Sequence, residues 1–96
     1  MDQYKNELYM NVQESLMSKG FNYLGCMWEM INGFEINDNI GFGHSFMVDY
    51  IDQHHVSLIY RDIDDQDNSK SYGVIPNEMA LDIINKCLDA IVLDSE

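Results

Sequence analysis

Only five side chains in this sequence carry a fixed positive charge, Lys5, Lys19, Arg61, Lys70 and Lys86, against seventeen aspartates and glutamates, a formal net charge of -12. A field of that sign repels phosphate and anionic lipid, so direct binding of nucleic acid or of a membrane surface is excluded as an expectation and a basic partner is favoured. Cysteine is scarcer still. Cys26 and Cys87 stand far apart, which in a reducing compartment predicts free, buried thiols rather than a disulfide. There is one proline, Pro76. No run approaches the roughly 18 apolar residues of a membrane span. The opening MDQYKNELYM has neither the basic start nor the apolar stretch of a secretory signal. These absences predict a cytoplasmic protein.

What is present is a globular composition, 46% hydrophobic and 11% aromatic over 96 residues, enough for one core. The chain therefore reads as a single acidic domain spanning 1–96, without repeats or low-complexity linkers. From Asp2 to Lys19, apolar residues fall at Tyr4, Leu8, Tyr9, Val12, Leu16 and Met17, one face of a helix. Gly20 is placed to close that helix and Phe21 to fold back on it. Near the other end, Met79, Ala80, Ile83, Ile84, Cys87, Leu88, Ile91 and Val92 make a second helical stripe, with Asn77 as its expected N-cap.

Between the helices the period changes. Phe46, Val48 and Tyr50 alternate with Ser45, Met47 and Asp49, and Val56, Leu58 and Tyr60 alternate likewise, which predicts two half-buried strands joined through Asp52-Gln53-His54. A third short strand, SYGVI, follows. Upstream, Asn32-Gly33 is the dipeptide of tight two-residue hairpins whose central positions need positive φ. The rival reading there is a short helix over Cys26 to Asn32 capped by Gly33. The fold class expected is α+β, with N- and C-terminal amphipathic helices packed on one face of a small antiparallel β-sheet of 3–5 strands.

No stretch spells a reaction. Four aspartates crowd into RDIDDQDNSKSYG, Asp62, Asp64, Asp65 and Asp67, yet in no frame does this loop supply the acids, the sixth-position glycine and the closing glutamate of an EF-hand. Cys26 in LGCMWE lacks the neighbours of a papain-type nucleophile. His44, His54 and His55 do not have zinc-ligand spacing, and Gly41-Phe42-Gly43 precedes a strand rather than a helix, so it is not a phosphate loop. Neither a cofactor nor a metal is expected, and the chain is read as no enzyme.

The acidity is concentrated. Between Glu35 and Asp67 lie eight acids, Glu35, Asp38, Asp49, Asp52, Asp62, Asp64, Asp65 and Asp67, and one base, Arg61, a local charge of 1 − 8 = −7. Residues two apart on a strand sit about 6.6 Å apart on one face, so such carboxylates can be spaced as a nucleic-acid backbone spaces phosphates. These eight, with Tyr50, Tyr60 and Tyr72 as aromatic anchors, form the expected partner-binding set.

In general character, small, strongly acidic, α+β and without a catalytic set, the chain resembles the anti-defence inhibitors of phages and mobile elements (anti-CRISPR and anti-restriction proteins of the DNA-mimic type) and the immunity proteins that neutralise nuclease toxins. The resemblance carries no individual residue. It implies a non-enzymatic acidic inhibitor that binds the basic, nucleic-acid-binding surface of another protein, a nuclease for example, with toxin immunity as the alternative. A small metal-binding or thiol-dependent enzyme is the alternative of another class. Seven methionines and an unpaired sheet edge leave a homodimer open.

Overall fold

A computed structural model describes the backbone of residues 3–21, 26–37, 44–62 and 66–95, and the side chains of residues 7–21, 26–37, 44–62 and 67–90. Among them the chain forms two helices, one near each end, and a five-stranded antiparallel sheet, an α+β architecture. Helix α1, Gln3–Ser18, buries Leu8, Val12 and Leu16, residues four apart on one side of the cylinder. Met17 is turned about 100° away from Leu16 and is exposed, contrary to its place in the expected stripe.

The helix ends as its sequence predicts. Gly20 takes φ 89°, its N–H donates to the Met17 carbonyl and that of Phe21 to the Leu16 carbonyl, the paired bonds of a Schellman motif.

Strands β1, Met27–Met30, and β2, Gly33–Ile36, make the expected hairpin, with a different turn. Met30 pairs with Gly33, so the two loop residues are Ile31 and Asn32. No non-glycine residue described here has positive φ, which excludes the type I′ turn that an Asn-Gly centre would use. Asn32 instead continues the ladder into β3, accepting from the Tyr50 N–H and donating from its side-chain amide to the Tyr50 carbonyl. Gly33 has become a strand residue whose place is fixed by space: a Cβ there would lie 1.9 Å from the Val48 carbonyl oxygen.

Strands β3, His44–Tyr50, and β4, His55–Asp62, pair from His44↔Asp62 to Tyr50↔Val56, and β5, Lys70–Pro76, completes the meander β1-β2-β3-β4-β5. A bulge between Leu58/Ile59 and their partners Gly73/Ser71 leaves Tyr72 as the extra residue, with Gly73 at φ 69°. Pro76 sits at the end of this edge strand, where its missing N–H matters least.

Helix α2, Asn77–Ser95, buries Ala80, Ile84 and Leu88 while Met79, expected in the stripe, is exposed. Asn77 does not cap in the expected manner. Its N–H donates to the His54 carbonyl and its side-chain amide to that of Gln53, and its Oδ1 is buried without a partner. These bonds tie the start of α2 to the β3–β4 turn.

Residues paired across strands share a face, so register sorts the sheet in two. Phe34, Val48 and Leu58 lie in one row, Ile36 and Phe46 in the next, and Tyr50, Val56 and Ile75 in a third. All are buried and belong to one core with Leu8, Val12, Leu16, Ala80, Ile84 and Leu88. Tyr9 of α1 meets the Phe34 ring edge-on, with centroids 5.4 Å apart. The two lengths of alternation in the sequence are therefore true strands whose Phe46, Val48, Tyr50, Val56 and Leu58 turn to the core.

Candidate interaction surface

The five candidate acids among the described residues, Glu35, Asp49, Asp52, Asp62 and Asp67, do not share one face of the sheet. Asp38, Asp64 and Asp65 lie outside the described residues. Glu35 and Asp49 share the sheet face opposite the core, since Glu35 pairs with Met47 and Asp49 is two residues further along β3, a diagonal separation of roughly 7–8 Å. Asp62 falls on the other parity of β4, in line with Tyr60 and Leu58, and accepts a hydrogen bond from the Asn68 side chain. Asp67 is exposed in the short 3-10 turn Gln66–Asn68. The regular strand spacing expected of Asp62 and Asp64 falls on residues 63–65, outside the described residues.

Asp52 has a local task. One carboxylate oxygen accepts from the backbone N–H of His54 at 2.7 Å and of His55 at 2.9 Å, and the His55 imidazole Nδ1 lies 2.9 Å from the same oxygen. The residue thus closes the β3–β4 turn as an Asx motif. The His54 N–H, and after it the His55 side chain, hold the Asp52 carboxyl below its ordinary pKa. A carboxyl depressed in the folded state stabilises it above the unfolded pKa of about 3.9 and loses that contribution as pH falls through the folded value. Asp52→Asn is accordingly expected to flatten the decline of the melting temperature below about pH 4, as followed by circular dichroism. An unchanged acid limb would remove Asp52 from that role.

The tyrosines expected as anchors are placed on the core side. Tyr50 is 8% exposed, and Tyr60 and Tyr72 pack against the core. Tyr50 is therefore unavailable to a partner, because the parity that made β3 a strand turned it inward. The Tyr60 hydroxyl is hydrogen-bonded to His44 Nδ1.

The outward aromatic is Trp28, 56% exposed on edge strand β1. It heads the cross-sheet row Trp28, Glu35, Met47, Ile59, and the adjacent row runs Met30, Gly33, Asp49, Ser57, Val74. Met30 and Val74 are exposed, whereas Met47 and Ile59 are half-buried. Across a sheet roughly 19 Å wide, four strand spacings, this second face thus carries apolar side chains with Glu35, Asp49 and the exposed Arg61 set among them. Ile31 and Ile51 protrude from the turns at one end of it. Sequence reasoning passed over Trp28, Met30 and Val74. MWEM is apolar at three of four positions and carries no alternation, so only its pairing tells which side is outward.

The residues available for chemistry are dispersed. His44 begins β3 and His55 begins β4, at opposite ends of that hairpin. Among the described residues no three of His, Cys, Asp and Glu gather as metal ligands would. Both cysteines are free. Burial pushes the Cys26 thiol up to about 11 and also raises that of Cys87, so neither is a ready nucleophile near neutral pH. Among the described residues no helix is long and apolar enough to cross a membrane. No protein-family model matches this sequence, and no match was found among curated proteins or solved structures.

Proposed function

We propose that this protein is a non-enzymatic inhibitor acting in the cytoplasm, and that it docks its open sheet face on the basic, nucleic-acid-binding surface of another protein. Both helices cover the opposite face in this reading, which leaves the open one for the partner. The observation that carries it is the composition of that face: Trp28, Met30 and Val74 exposed in a band that also holds Glu35 and Asp49. Exposed apolar side chains rimmed by charge mark interaction sites. A net charge of -12 steers a basic partner toward it. The acids here supply approach and orientation, and the apolar side chains supply the contact. The inhibition resembles that of anti-defence proteins in its logic of occupying a nucleic-acid channel, with apolar contact added to charge mimicry.

The experiment compares two pairs of charge-removing substitutions. Glu35→Gln with Asp49→Asn removes two charges from the open face, and Glu7→Gln with Glu14→Gln removes two exposed charges from α1. Association with the basic partner, isolated by affinity capture from host lysate and purified, is followed by stopped flow over a salt series. The first pair is expected to slow association by on the order of threefold to tenfold at low salt and to flatten its salt dependence, and the second pair by less. Equal slowing by the two pairs would mean that only net charge matters and would defeat a localised site.

A further inference from the structure

A cavity of about 350 Å³ opens on the core side of the sheet, away from the open face, and is lined by Phe46, Tyr60, Tyr72, Ile83, Lys86 and Cys87. That volume is within the range of small-ligand sites, roughly 300–1,000 Å³, and apolar and aromatic walls with few polar groups are their usual lining. The fold builds it from three strands and a helix. Phe46 and Tyr60 are direct cross-strand partners whose rings stand 5.4 Å apart. Tyr72 is the residue that the β5 bulge leaves over, and Ile83 and Cys87 are four apart on α2.

Both signs of charge stand around this cavity: Lys86 is paired with Asp82, and Asp62 lies beside Tyr60 on the core parity of β4. Two of the chain's five bases attend it: Lys86 lines it, and the Lys70 ammonium stands 4.7 Å from the centroid of the Tyr72 ring. Lys86 pairs with Asp82 at 2.9 Å, with both side chains largely exposed. A pair of that kind is weak, so the ammonium can turn to an entering anion. An ammonium ligand would meet the like charge of Lys86 on the cavity wall.

We propose that this cavity binds a small amphipathic carboxylate, a medium-length alkanoate or arylalkanoate, with its apolar body against Phe46, Tyr60, Tyr72 and Ile83 and its carboxylate at Lys86. The site is independent of the inhibitory surface.

The test uses the intact protein and three probes of equal chain length, octanoate, octylammonium and octanol, in a two-dimensional amide NMR titration. Octanoate is expected to shift the Phe46, Tyr72, Ile83 and Cys87 resonances saturably. At saturation it is expected to slow N-ethylmaleimide labelling of Cys87 about fivefold relative to the buried Cys26, since a labelling reagent must enter the space the ligand fills. Lys86→Gln is expected to weaken octanoate about tenfold, the loss of one charge-assisted contact, while leaving octanol unchanged. Ile83→Trp should fill the cavity and abolish both. If that variant does not fold, Lys86→Gln alone decides. Octylammonium or octanol binding as tightly as octanoate, shifts that map to the open sheet face, or no saturable response at millimolar octanoate would each overturn the proposal.

Discussion

Gly33→Ala is expected to destabilise the fold by about 3 kcal/mol, and to lower the melting temperature by roughly 10–20 °C in a domain of this size. The reason is a collision and not a backbone preference. The added methyl would sit 1.9 Å from the Val48 carbonyl oxygen, 2.9 Å from its carbon and 3.0 Å from the Asp49 Cα, all main-chain atoms of the neighbouring strand. Side chains can swing aside, but a ladder partner can move only by breaking the ladder, and the β1–β2 hairpin would have to part from β3. Gly20 and Gly73 provide the controls. Each has positive φ and open space around its missing Cβ, so alanine there meets only the left-handed penalty of roughly 1–2 kcal/mol. Thermal unfolding of the three variants ranks them. A loss in Gly33→Ala no larger than in Gly20→Ala would show that the strands accommodate the methyl group.

Trp28→Ala is expected to weaken the inhibitory complex by about 2 kcal/mol or more, roughly thirtyfold in Kd, while changing the melting temperature little. The indole is more than half exposed in the free protein, so its removal leaves no cavity in the core. In a complex formed on the open face it would be the largest apolar group to be desolvated, and the acids around it would keep water out of the contact. The loss should appear in dissociation, because anchors hold a formed complex whereas dispersed charges hasten its formation. That separates this variant from the Glu35 and Asp49 pair, whose effect belongs to association. Met79→Ala is the control, an exposed apolar residue on α2. Surface plasmon resonance against the purified partner reads both rates. A Trp28→Ala complex with Kd within twofold of the parent would place the interface elsewhere.

The two predictions rest on features of different legibility. The Schellman closure at Gly20 and Phe21 was readable because every residue it needs lies within six positions, and the same holds for the alternation in β3 and β4. The turn at Ile31-Asn32 was misread by one residue. The local preference of Asn-Gly for positive φ was overridden when Asn32 bonded to Tyr50, eighteen positions away, and Gly33 was needed where two strands approach. The inward placement of the three tyrosines has a related reason. Parity and the β5 bulge put Tyr50, Tyr60 and Tyr72 on the core side, Tyr50 buried and the other two half-buried, which their closeness to acids in the chain does not tell.

By itself the sequence determined the two helices, with apolar stripes that contain Leu8, Val12 and Leu16 and Ala80, Ile84 and Leu88, the half-buried central strands, and a net charge of -12. Each of these follows from composition or from a period of 3.6 or 2, which neighbouring residues impose without help from distant ones. Only the tertiary structure decided that Trp28 and Met30 on one edge strand and Val74 on the other flank Glu35 and Asp49 on a single open face. The pairing register of five strands makes that surface, and a slip of one residue in any of them would have turned its side chains to the other face.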